Sequence, residues 1–388
     1  MLPRLLFLDH VGVLGGGELS LLDIARHFSA GSKVLLFEDG PFRERLAAAG
    51  VAVDVVPAPA SVHQVRREGG FLHDVRSLPG VLGLARRVAR EARGYDGLYA
   101  NSQKAFVVAA LAGRWARRPV VWHLRDLLTA DHFSDTHRRL VVFLANNGGA
   151  TQVIANSKAT AEAFVAGGGT TPKVSVIYNG IDPAPFGAVD PDQVDALRTA
   201  LGLRGVPVVG VFSRLASWKG QHILLEALAD LPEVHALLAG GALFADEADY
   251  AASLRRQAKT QGLGGRVHFL GFRDDVPALL HLVDVVAHTS TAPEPFGRVV
   301  VEGMLAGRPV VATRAGGVLE IIEDGYTGLL VEPGDARDLR RALQHVLSSP
   351  ETARTLAEAG RTAARQRFSH HRMLAQIEQL LGTLPTAR

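Results

Sequence analysis

From its first residues the chain alternates two patterns. Short runs of leucine and β-branched residues, LLFLD, VLLF, VAVDVV, GLYA, PVVWHL, TQVIA and KVSVI, recur up to about Ile177, with helical spacing between them. Runs this short and this apolar read as strands covered on both faces, and a helix between consecutive strands is the crossover that parallel pairing requires. The pattern predicts an α/β fold built on a doubly wound parallel sheet. It breaks at Asn179 to Asp192, NGIDPAPFGAVDPD, whose prolines and glycines read as a linker. The rhythm then restarts with VPVVGVF, VHALLAG, RVHFLGF, DVVAHT, RPVVAT and TGLLVE. The expected organisation is therefore a first domain over 1–181, a linker over 182–192 and a second domain over 193–368. A last helical segment, 369–388, is expected to pack back on the first domain. A length of 388 residues suits two such cores, with a cleft between them.

Composition narrows the chemistry. The chain has no cysteine, which removes disulfides, thiolate catalysis and cysteine-ligated metal centres, and fits a reducing, cytoplasmic setting. The run from Met1 to His10 carries one arginine and is interrupted by Asp9 and His10, too little for a signal peptide or a spanning helix. Charge is uneven: residues 1–181 hold 21 Lys/Arg against 15 Asp/Glu, and residues 182–388 hold 21 against 24. Read as a helix, Arg76 to Arg93 gathers Val81, Leu84, Ala85, Val88 and Ala92 on one side and Arg86, Arg90 and Arg93 on the other. Such a basic ridge suits either an ordinary surface helix or peripheral contact with an anionic membrane at its inner face.

Ligands of open parallel sheets sit beyond the carboxyl ends of the strands, so the loops after strands matter most. The first, Gly12 to Glu18, is glycine-rich and opens a helix, as an anion site would. A dinucleotide fingerprint fails there, because Leu14 stands where GxGxxG needs glycine, although Glu38 ends the next strand where a ribose acid would be expected. In the second domain, Arg214 and Lys219 lie between a strand and a helix, where two cations can hold a diphosphate and stabilise its departure. Further on, Glu294 and Glu302 flank the Phe296-Gly297 turn within about two helical turns of each other. Carboxylates there can accept from sugar and ribose hydroxyls, and the helix start adds N–H donors for phosphate.

The order Arg-Leu-x-x-x-Lys-Gly, Gly-Phe-x-x-Asp, Glu-Pro-Phe-Gly-x-x-x-x-Glu and Gly-x-Pro-Val-Val-Ala-Thr resembles glycosyltransferase family four, the large GT-B-fold family of mostly retaining, nucleotide-sugar-dependent transferases. The likeness extends to Gly-Gly-x-Glu near the N-terminus, Asn156-Ser157-Lys158 and Tyr178-Asn179-Gly180-Ile181-Asp182. Ser213 departs from it, since many relatives have glycine before the arginine. The resemblance implies that Arg214 and Lys219 bind the donor diphosphate, Glu302 the ribose and Glu294 a donor-sugar hydroxyl. It implies backbone contacts from Phe296 and Gly297, closure of Gly16 and Gly17 over the phosphates, and a base-edge cradle at Gly271, Phe272 and Arg273. His123, in VVWHLRD, looks like the family histidine that contacts the donor sugar; a satisfied strand-end histidine is the alternative.

The expected catalytic set is thus Glu294, His123, Arg214 and Lys219, with a UDP- or GDP-linked sugar as co-substrate, no separate cofactor and no metal. Asp190-Pro-Asp192 mimics a metal-binding DxD but lies in the linker, and His370-His371 has no carboxylate partner at ligand spacing. The expected partners are a nucleotide sugar and a carbohydrate or lipid-linked acceptor, with no nucleic acid. Because no glycosidase-like carboxylate pair is evident, the family's retaining route, in which the leaving phosphate takes the acceptor proton, is the expected one. A sugar-nucleotide epimerase and a non-catalytic nucleotide-sugar-binding protein are the alternatives.

Overall fold

The computed structural model describes residues 2–58, 78–130, 133–242 and 245–384. The chain forms two compact units, one of residues up to Gly180 together with those from His370 onward, the other Ile181–Ser369.

Unit 1 runs β1 (Leu5–Asp9), α1 (Gly16–His27), β2 (Lys33–Leu36), α2 (Pro41–Ala48), β3 (Val53–Val55), α3 (Leu78–Ala92), β4 (Gly97–Ala100), α4 (Gln103–Ala116), β5 (Val120–Leu124), α5 (Asp135–Leu144), β6 (Gln152–Ala155), α6 (Lys158–Ala166) and β7 (Val174–Val176). The sheet order is β3-β2-β1-β4-β5-β6-β7, and every pairing is parallel. Alternation along β1 shows how the two faces are filled. Leu6 and Leu8 join Val81, Leu84 and Val88 of α3 and Phe106 of α4 in one core. Leu5 and Phe7 join Leu21 and Ile24 of α1 on the other face.

Unit 2 contains α7 (Ala184–Gly187), α8 (Pro191–Ala200), β8 (Val208–Phe212), α9 (Gln221–Leu228), β9 (His235–Ala239), α10 (Ala245–Thr260), β10 (Val267–Gly271), α11 (Val276–Leu282), β11 (Val285–His288), α12 (Arg298–Leu305), β12 (Val310–Thr313), β13 (Leu329–Val331), α13 (Ala336–Ser348) and α14 (Pro350–Arg367). Its sheet is also all parallel, in the order β10-β9-β8-β11-β12-β13. The final helix, α15 (His370–Gly382), belongs to unit 1, where Met373, Ile377 and Leu381 enter the α1 face of the core.

In both sheets the strand order reverses beside the first strand, at β1/β4 and at β8/β11. These are the switch points where loops diverge and leave a crevice.

The segment 182–192, expected to be a linker, is instead folded against unit 2. Phe186 is buried and its carbonyl accepts from His281 Nε2 at 2.8 Å. The prolines that read as breakers sit in first turns, Pro185 in α7 and Pro191 at the start of α8, where a missing N–H costs nothing. Asp190 caps α8, its Oδ1 accepting from Asp192 N at 3.0 Å. Over the basic ridge, α3 buries Val81, Leu84, Ala85, Val88 and Ala92 and exposes Arg86 and Arg90, with Arg93 exposed just beyond it; Arg76 lies outside the described residues. Among the described residues no helix is long and apolar enough to cross a membrane.

Candidate active site

Two loops build the unit 2 site at the β8/β11 switch point. After β8 the chain turns through Ser217–Lys219 into Gly220, whose φ of +67° opens α9. Only glycine fits there, because a Cβ would collide with the Thr289 carbonyl oxygen. Thr289 Oγ1 in turn donates to the Lys219 carbonyl at 2.8 Å, joining the loop after β8 to the loop after β11. Ser213, the departure from the family pattern, accepts from Gln221 Nε2 at 2.9 Å.

Lys219 reaches Glu294 Oε1 at 2.6 Å, with its Nζ 4.2 Å from the centre of the Trp218 ring. The same oxygen accepts from His288 Nε2 at 2.8 Å and from the Ser290 hydroxyl. Thr313 Oγ1 lies 3.2 Å from the other ring nitrogen of His288. Burial alone would raise the Glu294 pKa, but Lys219 and His288 outweigh it and hold the carboxyl well below the ordinary range. The backbone of Glu294 is clamped as well: Gly317 N donates to its carbonyl at 2.8 Å, and Gly316, at φ +59°, lies against it.

The other expected donor-site residues have protein partners too. Arg214 pairs with Glu247 at 2.7 Å, and Glu302 with Arg298 at 2.7 Å. Phe296 is buried against Phe368, so only its backbone is on offer. Gly297, at φ +101°, is the residue from which α12 starts. At the end of β10, Gly271 has φ +67°, Phe272 is exposed, and Arg273 forks onto Asp275 at 2.7 and 2.5 Å. The structure therefore brings Lys219 and Glu294 together directly and gives Arg214 and Glu302 separate carboxylate and guanidinium partners.

At the β1/β4 switch point of unit 1 a second polar cluster forms. Gly12 and Gly40 meet back to back, with no room for a Cβ on either. Gly15 precedes α1, so Gly16 and Gly17 form its first turn. Glu18 folds back over Gly15, and burial, followed by the nearby Asp9 charge, pushes its carboxyl up to about 8. Asp9, fully buried, accepts from Asn101 Nδ2 at 2.5 Å. Arg125 donates to Asn101 Oδ1 at 2.6 Å and to Asn179 Oδ1 at 2.9 Å. His123, at the end of β5, is fully buried beside Arg125 and Tyr99. Burial, then the Arg125 charge, lowers its pKa well below the ordinary histidine value.

His288, Ser290, Asp9, Asn101 and Arg125 were not singled out by motif reading. Their signal was positional: each is a polar residue at or just after the end of a strand otherwise made of apolar residues. Asp190 serves as a helix cap, and the rings of His370 and His371 lie 4.0 Å apart, tilted by 38°. Among the described residues no group of three or more His, Asp or Glu side chains converges to hold a metal ion.

Comparison with known proteins supports the fold and family. A family described as Glycosyltransferase Family 4 matches residues 14–185, and one described as Glycosyl transferases group 1 matches residues 194–363. Anabaena HepE, solved in complex with UDP and glucose, is 43% identical; the match covers 98% of this chain and 100% of HepE, with a TM-score of 0.90. The chain belongs to the group 1, family 4 glycosyltransferases. Its two Rossmann-like units are those of the GT-B fold. Among other glycosyltransferases, the lipopolysaccharide core biosynthesis enzyme LpsE of Rhizobium meliloti is 34% identical over 213 residues, 55% of this chain and 59% of LpsE. The D-inositol 3-phosphate glycosyltransferase of Corynebacterium urealyticum is 33% identical over 224 residues, 55% of this chain and 52% of that enzyme. The chain thus spans little more than half the length of these curated relatives.

Proposed function

We propose that this glycosyltransferase moves a hexose-type sugar from a UDP-linked donor to an acceptor hydroxyl with retention of anomeric configuration. The observation that carries the reading is the Lys219–Glu294 pair at the β8/β11 switch point, with Arg214 on the same loop as Lys219 and Glu302 on α12, the helix that follows Glu294. A departing diphosphate develops negative charge, which Arg214 and Lys219 offset without reorganisation. Glu294 holds the Lys219 ammonium in place, Glu302 takes ribose hydroxyls, and the first N–H groups of α12 face phosphate. HepE, similar over its whole length, is solved with UDP-glucose, which favours uridine over guanosine as the carrier.

In the retaining route the bond from the anomeric carbon to the phosphate oxygen breaks, and its electron pair leaves with the diphosphate. The acceptor oxygen bonds to the same face of that carbon, and its proton passes to the departing phosphate. Arginine and lysine carry the charge in this scheme. The acceptor class is a lipid-linked glycan or polysaccharide, by analogy with LpsE, and the basic face of α3 would meet an anionic membrane that carries it.

The test is a thermal-shift panel of UDP, GDP, UDP-sugars, GDP-sugars and NAD on the wild type, Arg214→Ala and Glu302→Ala. A ligand at a hundred times its dissociation constant adds about 2.7 kcal/mol to folded stability. UDP should stabilise the wild type and neither variant. Stabilisation by NAD alone, or equal response of all three proteins, sinks the reading, and a β-linked product from an α-linked donor sinks retention.

A further inference from the structure

The histidine at the end of β5 is held by groups that define where its proton sits. His123 Nδ1 lies 3.1 Å from Nη2 of Arg125 and 2.6 Å from the Tyr99 hydroxyl. A guanidinium has only donors, so Nδ1 accepts and carries no proton. The Tyr99 hydroxyl, buried and with its pKa raised by that burial, keeps its proton and can donate to the same nitrogen. The neutral ring therefore carries its proton on Nε2. That atom is buried and has no partner among the described residues.

Arg125 is itself fixed by more than its contact with the ring. Nε donates to Asn101 Oδ1 at 2.6 Å and Nη1 to Asn179 Oδ1 at 2.9 Å. Asn101 then donates to Asp9 Oδ2 at 2.5 Å. On its other side the stem of Arg125 runs past Gly17, where a Cβ would come 3.2 Å from Cδ. A continuous chain of hydrogen bonds thus links the ends of β1, β4 and β5, with the Glu18 and Asp9 carboxyls nearby. A side chain at Gly17, the second glycine of the Gly16-Gly17 pair, would press on Arg125 there.

We propose that Arg125, assisted by Tyr99, is a positioning residue that locks His123 in the Nε2–H tautomer, so that at this end of the unit 1 sheet His123 offers a ligand oxygen a hydrogen-bond donor and never a base. The identity of the ligand rests on the glycosyl-transfer reading, whereas the tautomer does not.

The tautomer can be read directly. In full-length protein labelled with [15N]histidine, the His123 ring is assigned by its loss in His123→Asn, and long-range proton–nitrogen correlation separates the two neutral tautomers from the cation. The wild type should show Nε2–H from about one pH unit below to about two units above the ordinary histidine value of about 6.5. Arg125→Met, checked for folding by its melt, should admit the other tautomer or a titration near the ordinary value, whereas Tyr99→Phe, which keeps the guanidinium, should hold Nε2–H. Arg125→Met should also lose about tenfold or more in kcat/KM for the UDP-sugar, about 1.4 kcal/mol, with UDP affinity unchanged. An Nδ1–H signal or a titration within that range in the wild type overturns the proposal. So does an unaltered tautomer in Arg125→Met. A wild type with the expected tautomer but no transfer from any nucleotide sugar upholds the lock and counts against the functional reading alone.

Discussion

Replacing Lys219 by methionine removes the ammonium 2.6 Å from Glu294 Oε1 while keeping an apolar stem beside Trp218. Both side chains are enclosed, 15% and 9% exposed, so water cannot stand in for the lost partner. Breaking a buried pair by removing one member costs about 3–5 kcal/mol, and the His288 and Ser290 donors that remain on Glu294 put this case near about 3 kcal/mol. In a unit of this size each kcal/mol moves the midpoint by about 2–4 °C, so the unit 2 transition should fall by about 6–12 °C in calorimetry of the full chain. The pH dependence follows from the depressed pKa of Glu294. Such a carboxyl lends stability that is present above its unfolded value, ordinarily 4.5, and lost as pH falls through its folded value. Losing Lys219 shrinks that depression, so the gap between wild type and variant should be widest near neutrality and narrow below about pH 4.5. Adding Glu294→Gln should recover part of the loss, because a neutral amide needs no ammonium. A fall of less than about 2 °C at neutral pH, below what about 1 kcal/mol would produce, or strict additivity in the double variant, refutes the pairing argument.

Glu18 carries the opposite sign. Its folded pKa of about 8 lies above the ordinary 4.5, so the folded state holds a proton that the unfolded chain has released between those values. Stability should fall with rising pH in that window by up to about 1.4 kcal/mol per unit, and Glu18→Gln should flatten the slope; parallel melting curves for the two proteins contradict this. Gly220→Ala should cost about 3 kcal/mol or more, against about 1 kcal/mol for Gly50→Ala. Both glycines have positive φ, but only Gly220 would drive a Cβ into a carbonyl, so equal urea midpoints for the two variants would show that the close approach does not matter. Reversing Arg86 and Arg90 to glutamate should weaken co-sedimentation with anionic vesicles, at about 1 kcal/mol for each positive charge lost near the surface. Wild-type binding that ignores lipid charge removes the membrane reading of the α3 face.

Much of the architecture was legible because its strands are buried on both faces. LLFLD and VVAHT announce themselves as apolar runs whose first polar residues, Asp9 and His288, then enter the sites. Motif order was equally readable for Lys219 and Glu294, since each sits on a loop that ends in a positive-φ glycine where a helix starts, Gly220 before α9 and Gly297 before α12. The segment 182–192 misled for a local reason: proline at a helix start and proline in a linker look alike until the flanking residues are seen to pack, as Phe186 does.

By itself the sequence determined the two parallel α/β units, the family and the loops that carry chemistry, because strand periodicity, glycine at positive φ and motif order are local properties. Tertiary structure decided which charges meet. Lys219 and Glu294 are 75 residues apart, and Arg125 and Asn179 are 54 apart. Strand order in each sheet sets those meetings, and no local pattern encodes it. Only the fold shows that Glu294 is held by lysine, histidine and serine at once, that Glu18 is driven towards its neutral form, and that Arg125 reaches the ring of His123. These depend on burial and on through-space distance, which are properties of the packed chain.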